Sequence, residues 1–190
     1  MFAKKKNYFL LIESIKDIDL KNIKIRNKFS IIYRNNNKID NINELIKFRS
    51  KCKQKTIKFY IANNYGLAVL LRSDGIYLSS FNKNLISLNY KKTNFNVIGS
   101  AHNIKEILLK IRQGCSTILL SKLFKVSYNS HAPFLGIHKF NTLTQITKKL
   151  IPLGGINNKN LNQLRNVFSE GFALLSEVKK KPAKIFSRLF

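Results

Sequence analysis

The 190-residue sequence contains no tryptophan, few acidic residues, little proline and only two cysteines. Cys52 and Cys115 are far apart and offer neither a metal-binding spacing nor a disulfide framework. The apolar run near the N-terminus, Tyr8–Ile12, is far shorter than the roughly 20 residues that span a membrane. That terminus also lacks the features of a secretory signal. These absences lead us to expect a reduced, cytoplasmic protein.

Only 9 acidic residues oppose 35 lysines and arginines, which gives a formal net charge of +26. Such a charge attracts anions, including phosphorylated metabolites, nucleic acid and acidic membrane surfaces. It also follows from a composition rich in lysine, asparagine and isoleucine, as A+T-rich codons produce. The basic residues are scattered, with short runs at Lys4–Lys6 and Lys179–Lys181. This scatter favours the compositional interpretation over a dedicated nucleic-acid surface, which would concentrate charge on one face.

Hydrophobic residues make up 44% of the chain, and they fall into short runs that alternate with helical patterns. Most runs are continuous, which is typical of strands buried on both faces of a parallel sheet. The alternation predicts an α/β fold and leaves a closed barrel and an open doubly wound sheet both possible. The predicted strands are Tyr8–Ile12, Phe29–Tyr33, Ile57–Ile61, Gly75–Leu78, Phe95–Gly99, Thr117–Ser121, Leu150–Leu153 and Phe172–Ser176.

Helical periodicity predicts helices between several of these strands. The connections after the first and fourth strands are too short or irregular for full helices. The Asn103–Arg112 pattern places its apolar residues on one face, and these are Ile104, Ile107, Leu108 and Ile111. Further helices are predicted at Asn43–Lys53, at Asn158–Phe168 and after Pro182.

Two adjacent glycines, Gly154 and Gly155, directly follow the seventh predicted strand. Glycine at a strand end lets the backbone turn sharply and approach a ligand closely. The N–H groups there, with those of Leu175 and Ser176 at the end of the eighth predicted strand, can cradle a phosphate. Barrels frequently bind phosphate at these two loops, so we favour a phosphate site over a plain tight turn.

Four segments occur in a characteristic order along the chain. Ser73-Asp-Gly-Ile-Tyr-Leu78 precedes Ile98-Gly-Ser-Ala-His-Asn103, and Pro152-Leu-Gly-Gly-Ile-Asn157 precedes Gly171-Phe-Ala-Leu-Leu-Ser176. Together with Tyr33-Arg34, they resemble the motifs of the thiamine-phosphate synthase / TenI family. The resemblance covers the chain from about Tyr8 to the C-terminus. It implies a single domain over residues 1–190, a lean (β/α)8 TIM barrel with shortened or irregular first and fourth connections.

Active members of that family join hydroxymethylpyrimidine diphosphate to thiazole phosphate. The resemblance therefore implies a transferase of thiamine biosynthesis that handles phosphorylated small molecules. The positions that it implies as catalytic are Arg34, Asn63 and Ser100. Lys122, which stands where the family has a proline, is a further catalytic candidate because of its charge. Those that it implies as phosphate-binding are Gly154, Gly155, Leu175 and Ser176.

Asn63 and Asn82 stand where the family carries carboxylates that bind Mg²⁺. An amide oxygen can bind Mg²⁺ but adds no charge, and Mg²⁺ sites normally use one or two carboxylates plus substrate phosphates. The resemblance thus implies at most a weakened Mg²⁺ site. Lys122 and Lys125 in the sixth loop could neutralise part of a diphosphate instead, although lysine adds no coordination geometry.

Two polar residues near the fifth predicted strand have alternative roles. Ser100 could hydrogen-bond a substrate phosphate or cap the following helix, and Asn103 could also form that cap. His102 could donate to an anion, but a histidine at the start of a helix more often supports its loop. His131, in the sixth loop, is a weaker candidate.

Two other functions remain open at the level of sequence. The first is a TenI-like protein without synthase activity, either an isomerase or a protein that binds thiazole phosphate or thiamine phosphate, because parts of the family's catalytic set are replaced. The second is a basic nucleic-acid-binding protein on a barrel scaffold, which the scattered lysines disfavour.

Overall fold

The structure is a computed structural model that describes residues 7–23, 27–35, 39–85, 95–126, 129 and 131–175. Eight parallel strands form a closed barrel in the order of the sequence, and β1 pairs with β8 to complete it. The strands are β1 Asn7–Ile12, β2 Phe29–Tyr33, β3 Lys58–Ala62, β4 Gly75–Leu78, β5 Asn96–Ala101, β6 Thr117–Ser121, β7 Leu150–Leu153 and β8 Gly171–Leu174. The predicted TIM barrel is confirmed, and the open-sheet alternative is removed.

Two strand ends differ from the sequence prediction in ways that affect candidate residues. β5 continues to Ala101, so Ser100 is a strand residue and not part of a loop. β8 ends at Leu174, one residue before Leu175. Ser176, the predicted end of that strand, lies outside the described residues.

The continuous apolar runs form strands because both faces of each strand are buried. One face contributes to a cluster that takes alternate residues from all eight strands, which places it inside the barrel. That cluster comprises Phe9, Leu11, Ile32, Tyr60, Tyr77, Ile98, Leu119, Ile151, Leu153 and Ala173. The opposite faces, with Leu10, Ile31 and Ile118 among them, pack under the surrounding helices and loops.

Four α-helices lie in the described residues: α1 Ile42–Gln54, α2 Tyr65–Leu70, α3 Ile104–Arg112 and α4 Gly136–Leu143. In the described residues of the connection after β1, the structure has two 3₁₀ turns, Ile15–Asp17 and Leu20–Asn22, and no α-helix, in line with its predicted shortness. After β4, residues 79–85 contain no α-helix, and residues 86–94 lie outside the described part. The helix predicted after Pro182 also lies outside it.

The prediction of a helix over Asn158–Phe168 is wrong, because the structure has only a 3₁₀ helix at Leu161–Asn166. Asn160 explains the difference. Its Oδ1 accepts from the Asn157 amide at 2.8 Å, and its Nδ2 donates to the Gly155 carbonyl at 2.7 Å. A side chain that hydrogen-bonds nearby backbone in this way stabilises a turn at the expense of a helix.

The buried face of α3 also differs from the predicted one. Ile104 and Leu108 are 49% and 45% exposed, whereas Ile107 and Lys110 are fully buried. The face is rotated because the Lys110 side chain, and not an aliphatic one, fills the space beside β5. No helix in the described part of the chain is both long and apolar enough to cross a membrane.

Candidate functional site

The carboxyl ends of the eight parallel strands lie on one rim of the barrel, and this rim is where barrel enzymes carry their active sites. Arg34, Asn63 and Lys122 each follow a strand directly, and Gly154 does the same after β7. Ser100 is the penultimate residue of β5. The described residues of the predicted site therefore share one end of the barrel.

The glycine pair forms a left-handed turn at the end of β7. Gly154 has φ +90° and Gly155 has φ +72°, a region that favours glycine. A Cβ on Gly155 would lie 2.3 Å from the Phe124 carbonyl oxygen, so the two chain segments approach too closely for any side chain. The pair thus meets two requirements that glycine alone satisfies.

Backbone hydrogen bonds join this turn to the loop after β6. The Leu123 amide donates to the Leu153 carbonyl at 2.9 Å, and the Phe124 amide donates to the Gly154 carbonyl at 3.1 Å. Because a trans peptide points its C=O and N–H in opposite directions, the Gly155 amide points away from Phe124. The amides of Gly154 and Gly155 have no acceptor within the described residues.

Lys122 lies against the glycine turn. Its Cα and Cβ would each be 3.3 Å from a Cβ on Gly154, and its side chain is half-buried. β7 and β8 pair through Leu153 and Ala173, which places Leu175 beside Gly155 when the register is extended. The amides of Gly154 and Gly155 and the Lys122 side chain, all at one strand end, form an arrangement that can bind a phosphate.

Tyr77 and Ser100 lie on the inward faces of the neighbouring strands β4 and β5, and Arg34 follows β2 at the same end of the barrel. Burial raises the pKa of the Tyr77 phenol, and a hydrogen bond with Ser100 and the positive charge of Arg34 both oppose that rise. Ser100 is 6% exposed. It does not cap α3, because Asn103 forms the cap by accepting from the Glu106 amide at 3.0 Å. Ser100 therefore keeps its hydroxyl in the barrel mouth.

The two predicted metal positions contact each other. Asn63 Oδ1 accepts from the Ser79 amide at 3.0 Å and from Asn82 Nδ2 at 3.2 Å. Asn82 Oδ1 accepts from the Asn84 amide at 3.1 Å. Both oxygens that could face a cation are thus engaged with N–H donors, and neither side chain carries charge. These two residues, as they are arranged, do not fit a Mg²⁺ ion.

Other titratable residues support the structure. His102 donates its amide to Glu106 Oε2 at 2.8 Å, and its Nδ1 lies 3.1 Å from the same oxygen, which suits a role in supporting the loop. His131 has an exposed position on the sixth loop. Burial raises the pKa of Cys52 to about 12 and that of Cys115 to about 11, so both thiols stay protonated. Within the described ranges, no cluster of three His, Cys, Asp or Glu residues could hold a metal.

Sequence reasoning missed Lys110, which is completely buried on α3 beneath the loop that follows β4. The chain is lysine-rich throughout, so composition does not distinguish this lysine from the exposed ones. A local signal exists in Gly99, whose missing side chain leaves room for Lys110 Cδ, but only the folded structure shows that the two residues meet.

Comparison with known proteins adds three findings. The family model described as thiamine monophosphate synthase matches residues 3–178. A thiamine-phosphate synthase of Prochlorococcus marinus is 26% identical over 82% of this chain, and a thiamine-phosphate synthase of Clostridioides difficile is 23% identical over 73%. The matched region covers 44% of the Prochlorococcus protein and 67% of the Clostridioides protein.

A solved structure shares the fold over nearly all of both chains. Thiamine phosphate pyrophosphorylase from Pyrococcus furiosus superposes with a TM-score of 0.70 at 15% identity, and the match covers 98% of each chain. At that identity the likeness concerns the fold. The match of the family model over most of the chain is what establishes ancestry.

Proposed function

This chain belongs to the thiamine monophosphate synthase family, and from that premise we propose that it joins hydroxymethylpyrimidine diphosphate to thiazole phosphate, forming thiamine phosphate and releasing diphosphate. The observation that carries the proposal is the glycine turn after β7 with Lys122 against it. This arrangement supplies a phosphate site at the strand end where barrels frequently have one.

In this proposal the thiazole phosphate binds at the glycine turn. The amides of Gly154 and Gly155 donate to its oxygens, together with backbone groups of Leu175, while Lys122 supplies positive charge. The phosphate thereby anchors the thiazole ring at the barrel mouth. Anchoring by a part of the substrate that does not react is an efficient way to orient the part that does.

The pyrimidine diphosphate binds across the mouth, near Arg34, Ser100 and Asn63. Departure of diphosphate develops negative charge on the leaving group and positive charge on the pyrimidine carbon. The positive charge of Arg34 stabilises the negative charge that develops on the leaving diphosphate. The reaction needs no protein nucleophile, so positioning of the two substrates is the other contribution of the protein. Ser100, on the inward face of β5, is placed to hydrogen-bond the substrate. The scattered lysines give no reason to add a nucleic-acid partner.

Turnover of both substrates tests the proposal. Purified protein is incubated with hydroxymethylpyrimidine diphosphate and thiazole phosphate, with and without Mg²⁺ in the buffer, and formation of thiamine phosphate is measured. We expect product from the native chain. Lys122→Ala should raise KM for thiazole phosphate about tenfold, since hydrogen bonds to charged groups are worth about 1.5–3 kcal/mol. Lys139→Ala, an exposed lysine on α4, is the matched control.

No product at high protein concentration, under either metal condition, removes the transferase proposal. Thermal stabilisation by thiazole phosphate without turnover would instead support the TenI-like alternative, which keeps the binding site and loses the reaction. A Lys122→Ala variant with unchanged KM would show that the phosphate binds elsewhere.

A further inference from the structure

Lys110 carries a fully buried ammonium group on the outer side of the barrel. Its Nζ donates to the carbonyl oxygens of Ser79 at 2.8 Å and Asn82 at 2.7 Å, and to Gln113 Oε1 at 2.8 Å. A buried charge costs a great deal of free energy unless its hydrogen-bonding capacity is filled. An ammonium has three donors, and here each has an acceptor. The burial of the Lys110 ammonium is therefore compatible with a stable fold because these three acceptors surround it.

Gln113, which caps the C-terminus of α3, binds the same loop. Its Nε2 donates to the Asn82 carbonyl at 3.0 Å and to the Asn84 carbonyl at 2.8 Å. Two side chains of one helix thus bind three carbonyls of residues 79–84, which we call the β4 loop. This loop has no helix of its own to order it within the described residues.

The path of the Lys110 side chain depends on Gly99 in β5. A Cβ on Gly99 would lie 2.8 Å from Lys110 Cδ and 2.8 Å from the Cys115 sulfur. The Lys110 side chain therefore packs directly against the strand backbone at Gly99, where any larger residue would displace it. Burial lowers the pKa of the Lys110 ammonium, and Cys115 and Glu106 oppose that fall.

The rim side of the β4 loop is held by Asn63. Its Oδ1 accepts from the Ser79 amide and from Asn82 Nδ2. Ser79 and Asn82 thus offer their carbonyls to Lys110 on one side and their N–H groups to Asn63 on the other. If the Lys110 ammonium changes its hydrogen bonds to Ser79 and Asn82, both hydrogen-bond partners of Asn63 therefore move as well.

We propose that Lys110 is a positioning residue, whose ammonium holds the β4 loop so that Asn63 and Asn82 keep a fixed geometry at the mouth of the barrel. The Lys110 ammonium, bound to carbonyls of the β4 loop, thereby orders the part of the barrel rim that carries the side-chain amides of Asn63 and Asn82. The consequence for the reaction rests on the proposed function: Lys110 sets affinity for the pyrimidine diphosphate without touching it.

The test compares Lys110→Met, which keeps the length of the stem and removes the charge, with Lys105→Met, an exposed lysine on the same helix. Hydrogen exchange of the unliganded proteins is measured by peptide. We expect Lys110→Met to speed exchange of the β4-loop amides about tenfold while those of α1 stay unchanged. Lys105→Met should match the native protein throughout.

Steady-state kinetics supply the second measurement. We expect Lys110→Met to raise KM for the pyrimidine diphosphate about tenfold while KM for thiazole phosphate stays within twofold, roughly the effect of losing hydrogen bonds to a charged group. Lys110→Arg, which restores a charged donor, should recover part of the loss. If Lys110→Met does not fold, Gln113→Met should show smaller effects with the same pattern, because it leaves the ammonium in place.

The outcomes separate the two proposals. Faster exchange in the β4 loop with no turnover by the native protein supports the positioning role and removes the transferase. Turnover by the native protein with unchanged exchange and KM in Lys110→Met overturns the positioning role and leaves the transferase standing. Uniformly faster exchange across the barrel would show that Lys110 supports stability alone, and it would also overturn the proposal.

Discussion

Among single residues, Gly155 has a positive φ, and a Cβ at this position would lie only 2.3 Å from the Phe124 carbonyl oxygen. Gly136, with φ +71°, has no atom within 4 Å of a built Cβ, which makes it a matched control. Gly136→Ala should lose about 1–2 kcal/mol from the left-handed conformation alone. Gly155→Ala should lose about 1–3 kcal/mol more from overpacking, together with affinity for thiazole phosphate.

Urea unfolding measures both stabilities, and a thermal-shift titration with thiazole phosphate measures binding. Equal losses of stability in Gly136→Ala and Gly155→Ala would mean that the close contact between Gly155 and the sixth loop does not restrict the residue at position 155. Retained binding in Gly155→Ala would contradict a phosphate site at this turn.

At the scale of elements, Asp74 joins three of them at the end of the barrel opposite the candidate site. Its Oδ2 accepts from the Phe59 amide of β3 at 2.7 Å, and its Oδ1 lies 3.1 Å from Arg49 Nη2 of α1, just before β4 begins. Asp74→Ala leaves the Phe59 amide without its partner, which should cost about 1–3 kcal/mol. The KM values should stay unchanged, since this end of a barrel serves stability.

Urea unfolding and steady-state kinetics at a temperature where the variant is folded check this expectation. Asp74→Asn keeps one acceptor for the Phe59 amide and should lose less stability. A change in KM without a loss of stability would show that the two ends of the barrel are coupled.

The strands and helices also show which features of the fold can be predicted from local sequence patterns. The bounds of β2, β4, β6 and β7 follow from runs that are predominantly apolar, because strands buried on both faces are rich in apolar residues. The Asn158–Phe168 pattern failed because the side chain of Asn160 competes for backbone groups, which periodicity does not detect. The buried face of α3 was predicted wrongly because a lysine in a helical pattern is normally assigned to the solvent-exposed face. The carbonyl acceptors that allow Lys110 to be buried are visible only in the folded structure.

At the scale of the whole molecule, closure of the barrel depends on glycine at two strand starts. A Cβ on Gly171 would lie 1.9 Å from the Asn7 carbonyl oxygen across the β1–β8 seam, and one on Gly75 would lie 1.9 Å from that of Asn96 across β4–β5. Gly171→Ala must separate the strands that close the barrel. We expect a loss of at least about 3 kcal/mol, the upper range for overpacking.

Gly66→Ala on α2 is the control, because its nearest atom would be 3.7 Å away and alanine favours a helix by up to about 1 kcal/mol. Urea unfolding should show Gly66→Ala equal to or more stable than the native protein and Gly171→Ala far less stable. Similar stability of Gly171→Ala and the native protein would mean that the β1–β8 seam tolerates a side chain.

The sequence by itself determined the eight strands and the glycine turn at Gly154 and Gly155, because each of these depends on residues that are close together along the chain. It also determined the family, because short local motifs follow one another in a characteristic order. Only the tertiary structure decided that the sheet closes, that Asn63 bonds Asn82, and that Lys110 is buried under the β4 loop. The physical reason is that these contacts join residues about 20 or more positions apart, or strands at opposite ends of the chain. Their hydrogen bonds and close approaches exist once the backbone has brought them together, and no local propensity encodes them.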